Sequence, residues 1–191
     1  MKKKIYLFIL FFSLFSLHTL AQNNLMILKL SYGTVEIELY PEKAPNHVKR
    51  FIELADSGQY DGVVFHRVIE GFMAQSGDVK FGNSNNPDFN LSLAGTGGSN
   101  LPDLKAEFTD IAHTRGTLSA ARSANPDSAN SQFFICFEEA SHLDRSYTVF
   151  GKVTEGFATF TQMARVQTSV KNGMRDVPLK PVLITSMKLV K

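Results

Sequence analysis

Short runs in which apolar and polar residues alternate recur along most of the chain. The first, LMILKLSYGTVEIELY, covers residues 25–40 and sets Val35, Ile37 and Leu39 on one face, with polar residues between them on the other. Tyr32 and Gly33 stand where a turn is needed, so this run predicts a hairpin of two strands. Six further runs predict single strands at 63–69, 71–77, 116–122, 132–137, 148–153 and 182–190.

Two segments have helical periodicity instead. In residues 44–62, Pro45 precedes and Gly58 follows an apolar stripe that consists of Val48, Phe51, Ile52 and Ala55. In residues 154–167, the stripe consists of Phe157, Phe160 and Ala164. Eight strands and two helices predict a mainly β fold, a closed eight-stranded antiparallel β-barrel capped by two α-helices. Closure removes exposed strand edges, and the helices cover the openings.

Residues 79–103, VKFGNSNNPDFNLSLAGTGGSNLPD, interrupt these patterns. They are rich in Gly, Asn and Ser and show no sustained period, which predicts a long surface loop. Loops of this length without secondary structure are uncommon and often functional. Two interpretations stay open: the loop borders a functional site, or it is a tolerated insertion.

The first 21 residues, MKKKIYLFILFFSLFSLHTLA, have the pattern of a secretory signal peptide, with three lysines, an apolar run and small residues before a cleavage point. A transmembrane anchor is the alternative, but the apolar run is shorter than the roughly 20 residues that span a bilayer. We therefore expect residues 1–21 to be removed and residues 22–191 to form one exported domain without a membrane anchor. A periplasmic location is expected, with secretion as the alternative.

Charge and cysteine content exclude several classes of protein. The leader holds three lysines, which leaves 17 basic residues against 18 acidic ones in the rest of the chain. Without a basic cluster for phosphate groups, we do not expect nucleic-acid binding. Cys136 is the only cysteine, so a disulfide within the chain and a CxxC pair are both excluded, and we predict a buried, inert thiol. No GxSxG or HExxH motif favours a hydrolase, and we expect no metal or cofactor.

The segment FHRVIEGFMAQSGD combines strand patterning with polar side chains. Strand geometry predicts three groups that share a face: Phe65 with Arg67 and Ile69, Met73 with Gln75, and Gln132 with Phe134. Each group sets a polar side chain among apolar ones, which suits a mostly hydrophobic ligand with amide groups, such as a proline-containing peptide. His66 would alternate away from Arg67, and we expect it to form structural hydrogen bonds rather than bind a metal.

Five blocks, FHRVIEGFMAQSGD, GTGG, RGTLSAAR, SQFFIC and YTVFGKV, occur in the order and spacing of the cyclophilins. From about Met26 to the final strand the chain resembles a cyclophilin-type peptidyl-prolyl cis-trans isomerase, of an exported bacterial kind. The resemblance implies the same barrel with two helices that the patterns predict. It also implies isomerase activity, without a cofactor, on proline-containing polypeptides such as unfolded or exported clients. We expect a monomer.

The resemblance further assigns roles to residues at matching positions. It implies a catalytic group of Arg67, Gln75 and Phe72. Phe72 also belongs to the walls of a proline pocket, with Met73, Phe134 and Leu143. Gln132 would orient the peptide together with Gln75, while Ala121 and Arg122 fall where substrate backbone binds. Gly95 matches a glycine that borders the neighbouring pocket, reached here after an insertion.

Two positions depart from the pattern of many eukaryotic members. His142 stands where these carry a tryptophan that binds cyclosporin, and Tyr147 stands where they carry a histidine. Loss of the indole leaves cyclosporin sensitivity open, whereas tyrosine keeps an aromatic wall and a hydroxyl group. We expect both residues to contact substrate and catalysis to survive both changes. For His142, a pocket wall and a solvated turn residue are equally open.

The proposed chemistry explains why an arginine is used. A guanidinium group stays charged and can donate to the prolyl nitrogen, which accepts a hydrogen bond only while the amide is twisted. The alternative function is a proline-peptide binding module or chaperone with little turnover, because the same pocket would hold the same ligands. Substitution of Arg67 separates the two, since activity should collapse while peptide affinity falls much less.

Overall fold

The computed structural model describes residues 24–190, and the signal peptide predicted at 1–21 lies outside them. Its elements in chain order are β1 Leu25–Leu30, β2 Gly33–Leu39, α1 Pro45–Asp56, β3 Val64–Phe65, β4 Arg67–Ile69, β5 Met73–Ser76, β6 Thr117–Ala120, β7 Phe133–Cys136, β8 Val149–Glu155, α2 Phe157–Ala164, β9 Thr168–Lys171, β10 Met174–Pro178 and β11 Val182–Leu189. A short 3-10 helix, Ser141–Leu143, precedes β8. The first turn lies at residues 31–32, one residue earlier than predicted.

One antiparallel sheet closes on itself through a broken strand. The strand order of this sheet is β3-β11-β1-β2-β8-β6-β7-β5-β4, so β3 and β4 lie at opposite ends. Only His66 separates them in sequence. Phe65 pairs with Val182 of β11, and Arg67 pairs with Gln75 of β5, so the two ends of the sheet meet. Counted as one broken strand, β3 and β4 complete the predicted eight strands, and the predicted barrel is confirmed.

Aromatic side chains attach both helices to the barrel. Phe51 of α1 packs against three buried rings with centroids 5.2 to 5.3 Å away, those of Tyr60, Phe133 and Phe150. Phe160 of α2 packs against Phe137 at 4.8 Å. The alternation predicted for β2 is confirmed, since its apolar residues are buried and its glutamates are not. Burial of these apolar groups is the main force that holds the helices to the sheet.

The buried face of α2 differs from the predicted stripe. Its buried residues are Phe160 and Met163, whereas Phe157 is 39% exposed. A helix of eight residues makes only two turns, so its first residue lies at the edge of the contact with the barrel. The ring of Phe157 is instead approached from outside by the guanidinium of Arg115, at 5.9 Å.

A distant carboxylate caps the start of α1. The residue at the N-cap is Ala44, which has no side-chain acceptor for the free N–H groups of the first turn. Glu107 replaces it by accepting hydrogen bonds from the backbone N–H groups of Asn46 and His47, both at 3.1 Å. The Nδ1 atom of His47 also lies 2.6 Å from this carboxylate. Glu107 thus fixes the segment before β6 to the helix.

The break at His66 corrects two predictions. Phe65 and Val68 both lie in the barrel core, whereas Arg67 is exposed, so Phe65 and Arg67 do not share a face. Two residues, His66 and Arg67, separate these two inward-facing side chains, whereas a regular strand has only one residue between side chains on the same face. The predicted structural hydrogen bonds of His66 are also wrong, because neither ring nitrogen has a partner among residues 24–190. The ring packs beneath Gly95, and burial lowers the pKa of His66 to about 4.

A second hairpin was not predicted. Strands β9 and β10 form a separate two-stranded sheet that packs against β4. Asn172 and Gly173 form its turn, both with positive φ, which is the common Asn-Gly hairpin signal. That dipeptide was therefore the available sequence signal. Charged residues among the flanking positions obscured the alternation that would mark two strands.

Candidate active site

Strand pairing on the outside of the barrel aligns the predicted catalytic residues. Arg67 of β4 pairs with Gln75 of β5, and Gln75 pairs with Phe134 of β7. Side chains at paired positions point to the same face of a sheet. A donor, an amide and an aromatic ring thus form one row. The adjacent row is apolar and consists of Ile69, Met73 and Cys136.

Beside these rows lies an apolar pocket of about 180 Å³. Its lining residues are Arg67, Phe72, Met73, Gln75, Ala121, Arg122, Phe134, Leu143 and Tyr147. Met73, Phe134 and Leu143 are nearly buried, yet they belong to a cluster separate from the barrel core. The structure therefore brings together every residue predicted for the pocket walls, including the predicted catalytic residue Phe72, and adds the other two, Arg67 and Gln75. These aromatic and aliphatic groups surround a space suited to a small apolar ring.

A buried histidine supports the back of this pocket. His113 stacks on Phe134, with ring centroids 6.0 Å apart and planes inclined by 13°. Its Nδ1 and Nε2 atoms lie 2.9 Å from Asp144 and 3.1 Å from Ser119. Hydrogen bonds from the backbone and ring of His113 lower the pKa of Asp144. Ser119 is fully buried and donates to the carbonyl of Thr148, so this Ser-His-Asp chain cannot reach a substrate.

A chain of amides fixes the second side of the site. Gln75 donates to the side-chain oxygen of Gln132 at 2.9 Å, and Gln132 donates to the carbonyls of Gly95 and Gly97. Gln75 keeps its own oxygen and one N–H for a ligand. Asp78, which sequence reasoning missed, accepts hydrogen bonds from the N–H groups of Gly95 and Gly97 at 2.7 and 2.9 Å. Its signal was an aspartate directly before the long loop.

The long loop borders a second cavity, of about 490 Å³, next to the apolar pocket. Residues shared by the two cavities are Gln75, Ala121 and Arg122, and the loop contributes Gly95 to Ser99 and Asp103. Gly95 has φ +99, and a Cβ atom there would lie 2.8 Å from the ring of His66. Glycine is therefore required where the loop crosses the buried histidine. Of the two interpretations of the loop, its position favours a border of the site.

Arg67 has a largely free guanidinium. Its side chain is 44% exposed, and its Nε atom lies 3.7 Å from Oδ2 of Asp176 in the unpredicted hairpin. This separation is that of an ion pair and is too long for a hydrogen bond. Among residues 24–190, the side chain of Arg67 has no other hydrogen bond or ion pair. Its terminal nitrogens are thus available for a ligand in the apolar pocket.

The guanidinium of Arg122, unlike that of Arg67, is held by the protein and forms part of the pocket wall. It donates to the carbonyls of Ser123 and Ser146 at 2.9 and 2.8 Å and lies 4.3 Å from the ring centroid of Tyr147. Tyr147 in turn meets Phe134 edge to face at 5.7 Å. Within residues 24–190, the backbone N–H of Arg122 has no hydrogen-bond partner. That group remains available to an extended peptide.

His142 lies outside the apolar pocket. It is exposed in the 3-10 helix, and its ring centroid lies 5.5 Å from that of Phe72. His142 therefore supports the outer side of a pocket residue and does not line the pocket. Tyr147, at the second unusual position, does line it.

Cys136 lies fully buried in the apolar row. The predicted burial of the thiol is confirmed, and burial raises the pKa of Cys136 to about 12, as expected for an unreactive thiol. Within residues 24–190, no group of three His, Cys, Asp or Glu side chains could hold a metal ion. Over the same range, none of the helices has the length and apolar character needed to cross a bilayer.

The family described as cyclophilin type peptidyl-prolyl cis-trans isomerase/CLD matches residues 25–189. The chain belongs to the cyclophilin family. This cyclophilin is 49% identical over 162 residues to a probable peptidyl-prolyl cis-trans isomerase of Brucella suis, and the matched region covers 85% of this chain and 82% of that relative. It is 39% identical over 181 residues to a peptidyl-prolyl cis-trans isomerase of Acinetobacter baylyi, which covers 92% and 90%.

Solved structures agree with this family. A cyclophilin-type isomerase of Cryptosporidium parvum, crystallised in the presence of the dipeptide Ala-Pro, has a TM-score of 0.75 at 26% identity. The match covers 87% of this chain and 99% of that one. Cyclophilin AquaCyp293 of Hirschia baltica has a TM-score of 0.69 and also 26% identity, with 88% and 74% covered. This cyclophilin is accordingly a peptidyl-prolyl cis-trans isomerase.

Proposed function

We propose that Arg67 is the catalytic donor of this isomerase and that the apolar pocket holds the proline ring of the substrate. The observation that carries this proposal is the row of Arg67, Gln75 and Phe134 beside the pocket, with a half-exposed guanidinium at its end. The donor and the ring-binding surface lie on the same face of the sheet. No nucleophile is needed for rotation about a bond.

The physical chemistry of the reaction fits such a donor. Delocalisation of the nitrogen lone pair opposes rotation by about 18 to 20 kcal/mol. In the twisted state the lone pair is localised on the prolyl nitrogen, which then accepts a hydrogen bond. A guanidinium aimed at that nitrogen binds the twisted state better than either planar isomer, which is the condition for catalysis. Arginine keeps its charge at any relevant pH.

The surrounding groups would hold the two sides of the bond. The free oxygen and N–H of Gln75 and the backbone N–H of Arg122 lie at the edge of the pocket and can bind flanking peptide groups. Phe72, Met73, Leu143 and Tyr147 would enclose the proline ring, and His142 would steady Phe72. Gln132, Gly95 and Ala121 would bind the preceding residues beside the second cavity. Rotation then turns one held side against the other.

One donor accounts for only part of the acceleration. A charge-assisted hydrogen bond of about 2 to 3 kcal/mol corresponds to about two powers of ten in rate. Exclusion of water by the aromatic walls and alignment of the peptide must supply the rest.

The cellular role is a further part of the proposal. Uncatalysed prolyl isomerisation takes tens of seconds, slow enough to delay folding after export. The leader-like residues 1–21 support export to a periplasm, with secretion as the alternative. There the protein would act as a monomer on unfolded or exported clients that contain proline. Cell fractionation tests the location, and size-exclusion chromatography with light scattering tests the monomer. Retention of residues 1–21 in the mature protein would contradict the export proposal.

Comparison of Arg67→Ala with wild type in a protease-coupled assay on an Ala-Pro peptide tests the catalytic role. We expect kcat/KM to fall by about a hundredfold or more, as loss of the donor requires. Arg115→Ala is a matched control, because Arg115 is also 44% exposed and has one ion pair, at 3.9 Å. The control should keep full activity. Binding of the same peptide by calorimetry separates the alternative, since a binding module would bind the peptide both as wild type and as Arg67→Ala while neither protein accelerates isomerisation.

A further inference from the structure

The hairpin of β9 and β10 places one carboxylate beside the proposed catalytic donor. Oδ2 of Asp176 lies 3.7 Å from Nε of Arg67, and no other described residue pairs with that side chain. The Nε atom is at the inner end of the guanidinium. A partner there leaves the two terminal nitrogens, Nη1 and Nη2, free to donate to a substrate.

Two backbone irregularities bring Asp176 to this place. Met174 pairs with Lys171 and Val177 pairs with Ser169, so β10 contains one extra residue, a β-bulge. Asp176 itself has φ +63, in the left-handed region that residues other than glycine seldom adopt. Bulges redirect side chains, and backbone strain of this kind is concentrated at functional sites. Here both features occur at the residue that faces Arg67.

Packing alone does not hold Arg67 on this side. A cavity of about 350 Å³ adjoins it, with Thr96 and Met174 among the other lining residues, and the arginine side chain is 44% exposed. A long side chain with room to move loses much conformational freedom when a reaction requires one orientation. A charge partner at Nε restricts that freedom before the peptide binds, which is how preorganised groups lower a barrier.

We propose that Asp176 is a positioning residue that holds the Arg67 guanidinium in the orientation used to donate to the prolyl nitrogen. The proposal rests on the catalytic role proposed above for Arg67. An exposed pair contributes little to folding stability, so the effect should fall on turnover. A contact between the side chains of Asn172 and Ser92 ties the hairpin tip to the long loop. Loss of the carboxylate therefore leaves the hairpin attached.

Substitution of Asp176 by Asn and by Gly tests this role, because both residues tolerate a positive φ while neither carries a charge. NMR exchange spectroscopy on an Ala-Pro peptide measures kcat and KM separately. We expect kcat to fall about two- to fivefold in both variants, the range for an exposed ion pair, with KM and melting temperature unchanged. Glu138→Gln is the matched control, because Glu138 forms a comparable pair with Arg115 at 3.9 Å and lies outside the pocket lining.

The Arg67→Lys variant has no guanidinium to position. Combining it with Asp176→Asn therefore shows whether Asp176 acts by positioning Arg67 or through a general effect on the protein. If Asp176 acts through the guanidinium, Asp176→Asn should have no effect on kcat in Arg67→Lys. About 1 M salt, where the Debye length is about 3 Å, should reduce the wild-type rate toward that of Asp176→Asn. Unchanged or increased kcat in Asp176→Asn and Asp176→Gly, or an equal loss in Arg67→Lys, would overturn the proposal. Full activity of Arg67→Ala would instead overturn the catalytic role itself.

Discussion

The inner and outer faces of strands β5 and β7 differ in the polar groups that they leave free to bind a ligand. The inner face carries Ala74, Phe133 and Ile135, which join the barrel core. The outer face carries Met73, Phe134 and Cys136, which are nearly as buried but form a smaller cluster beside an open pocket, and the half-buried Gln75. Burial alone therefore does not distinguish core from site in this cyclophilin.

The difference lies in the polar groups at the edge of the outer face. Arg67 and Gln75 keep donors and an acceptor that no described residue uses, because their outward neighbours are a cavity and solvent. The inner face has no such edge, since closure of the sheet surrounds it with side chains. An apolar patch becomes a binding site where it is open on one side and has a few polar groups fixed around it.

The largest expected contrast is between Phe133→Ala and Phe134→Ala, adjacent residues on opposite faces. Phe133 contacts Phe51, Tyr60 and Phe65, so its truncation leaves a closed cavity and should lower the free energy of unfolding by about 3 to 5 kcal/mol. Phe134→Ala should cost less than half of that, because its cavity opens to solvent. Phe134→Ala should also lower kcat/KM more than tenfold, since the pocket loses one of its aromatic walls.

Denaturant unfolding measures the loss of stability. The peptide assay, under conditions in which each variant is fully folded, measures the loss of activity. Ile135→Val is the control on the inner face and should cost only about 0.5 to 1.5 kcal/mol with activity unchanged. Equal losses of stability and of activity in the two phenylalanine variants would refute the division between the faces.

The next effect concerns His66, where the chain crosses from the inner to the outer face. Burial lowers the pKa of His66 to about 4, whereas an unfolded histidine titrates near 6.5. The unfolded state therefore binds the proton first, and stability should fall as the pH decreases from about 6.5 to 4. The shift corresponds to about 3 kcal/mol at the acid end.

Urea unfolding of wild type and His66→Gln between these pH values measures the contribution. Burial also lowers the pKa of His47, and hydrogen bonds from His113 lower that of Asp144, so the wild-type slope has several sources and only its difference from the variant reports His66. Exposed His142→Gln should keep the wild-type slope. An identical pH dependence in His66→Gln would show that the buried ring is not the group responsible.

A smaller effect is expected from Glu107→Gln, a change at neither face. The carboxylate accepts two backbone N–H groups at the start of α1, and the amide can replace only part of this cap. The free energy of unfolding should fall by about 1 kcal/mol, as for loss of a helix cap, while kcat/KM stays unchanged. Thermal unfolding and the peptide assay measure both. Reduced activity in a fully folded variant would connect this cap to the site and contradict the expectation.

The smallest effect is expected at Cys136, an outer-face residue sealed by its neighbours. With a pKa of about 12 and no exposed surface, its thiol should not react with an aromatic disulfide reagent at pH 8 in the native state. The same protein in guanidinium chloride should react fully, which is the control. Rapid native labelling would mean that the outer cluster opens and is less like a core than its burial indicates.

The features of this fold that could be predicted from the sequence are those that local patterns determine. The alternation in β2 and the helical stripe of α1 identified the barrel, because each pattern depends on local geometry alone. The pocket residues followed from ordered motifs. Asp78 and Asp176 were missed, since an aspartate in a loop or hairpin has no pattern that names its distant partner.

The division between sequence and tertiary structure has one physical reason. Periodicity and motifs are properties of neighbouring residues, and they determined the strands of the barrel, the first helix, the family resemblance and the candidate site. The break at His66, the approach of Asp176 to Arg67, and the freedom of Arg67 compared with the hydrogen-bonded Arg122 depend on groups far apart in sequence. Only closure of the sheet decides which distant carbonyls and carboxylates reach a given side chain, and so which arginine remains free to act.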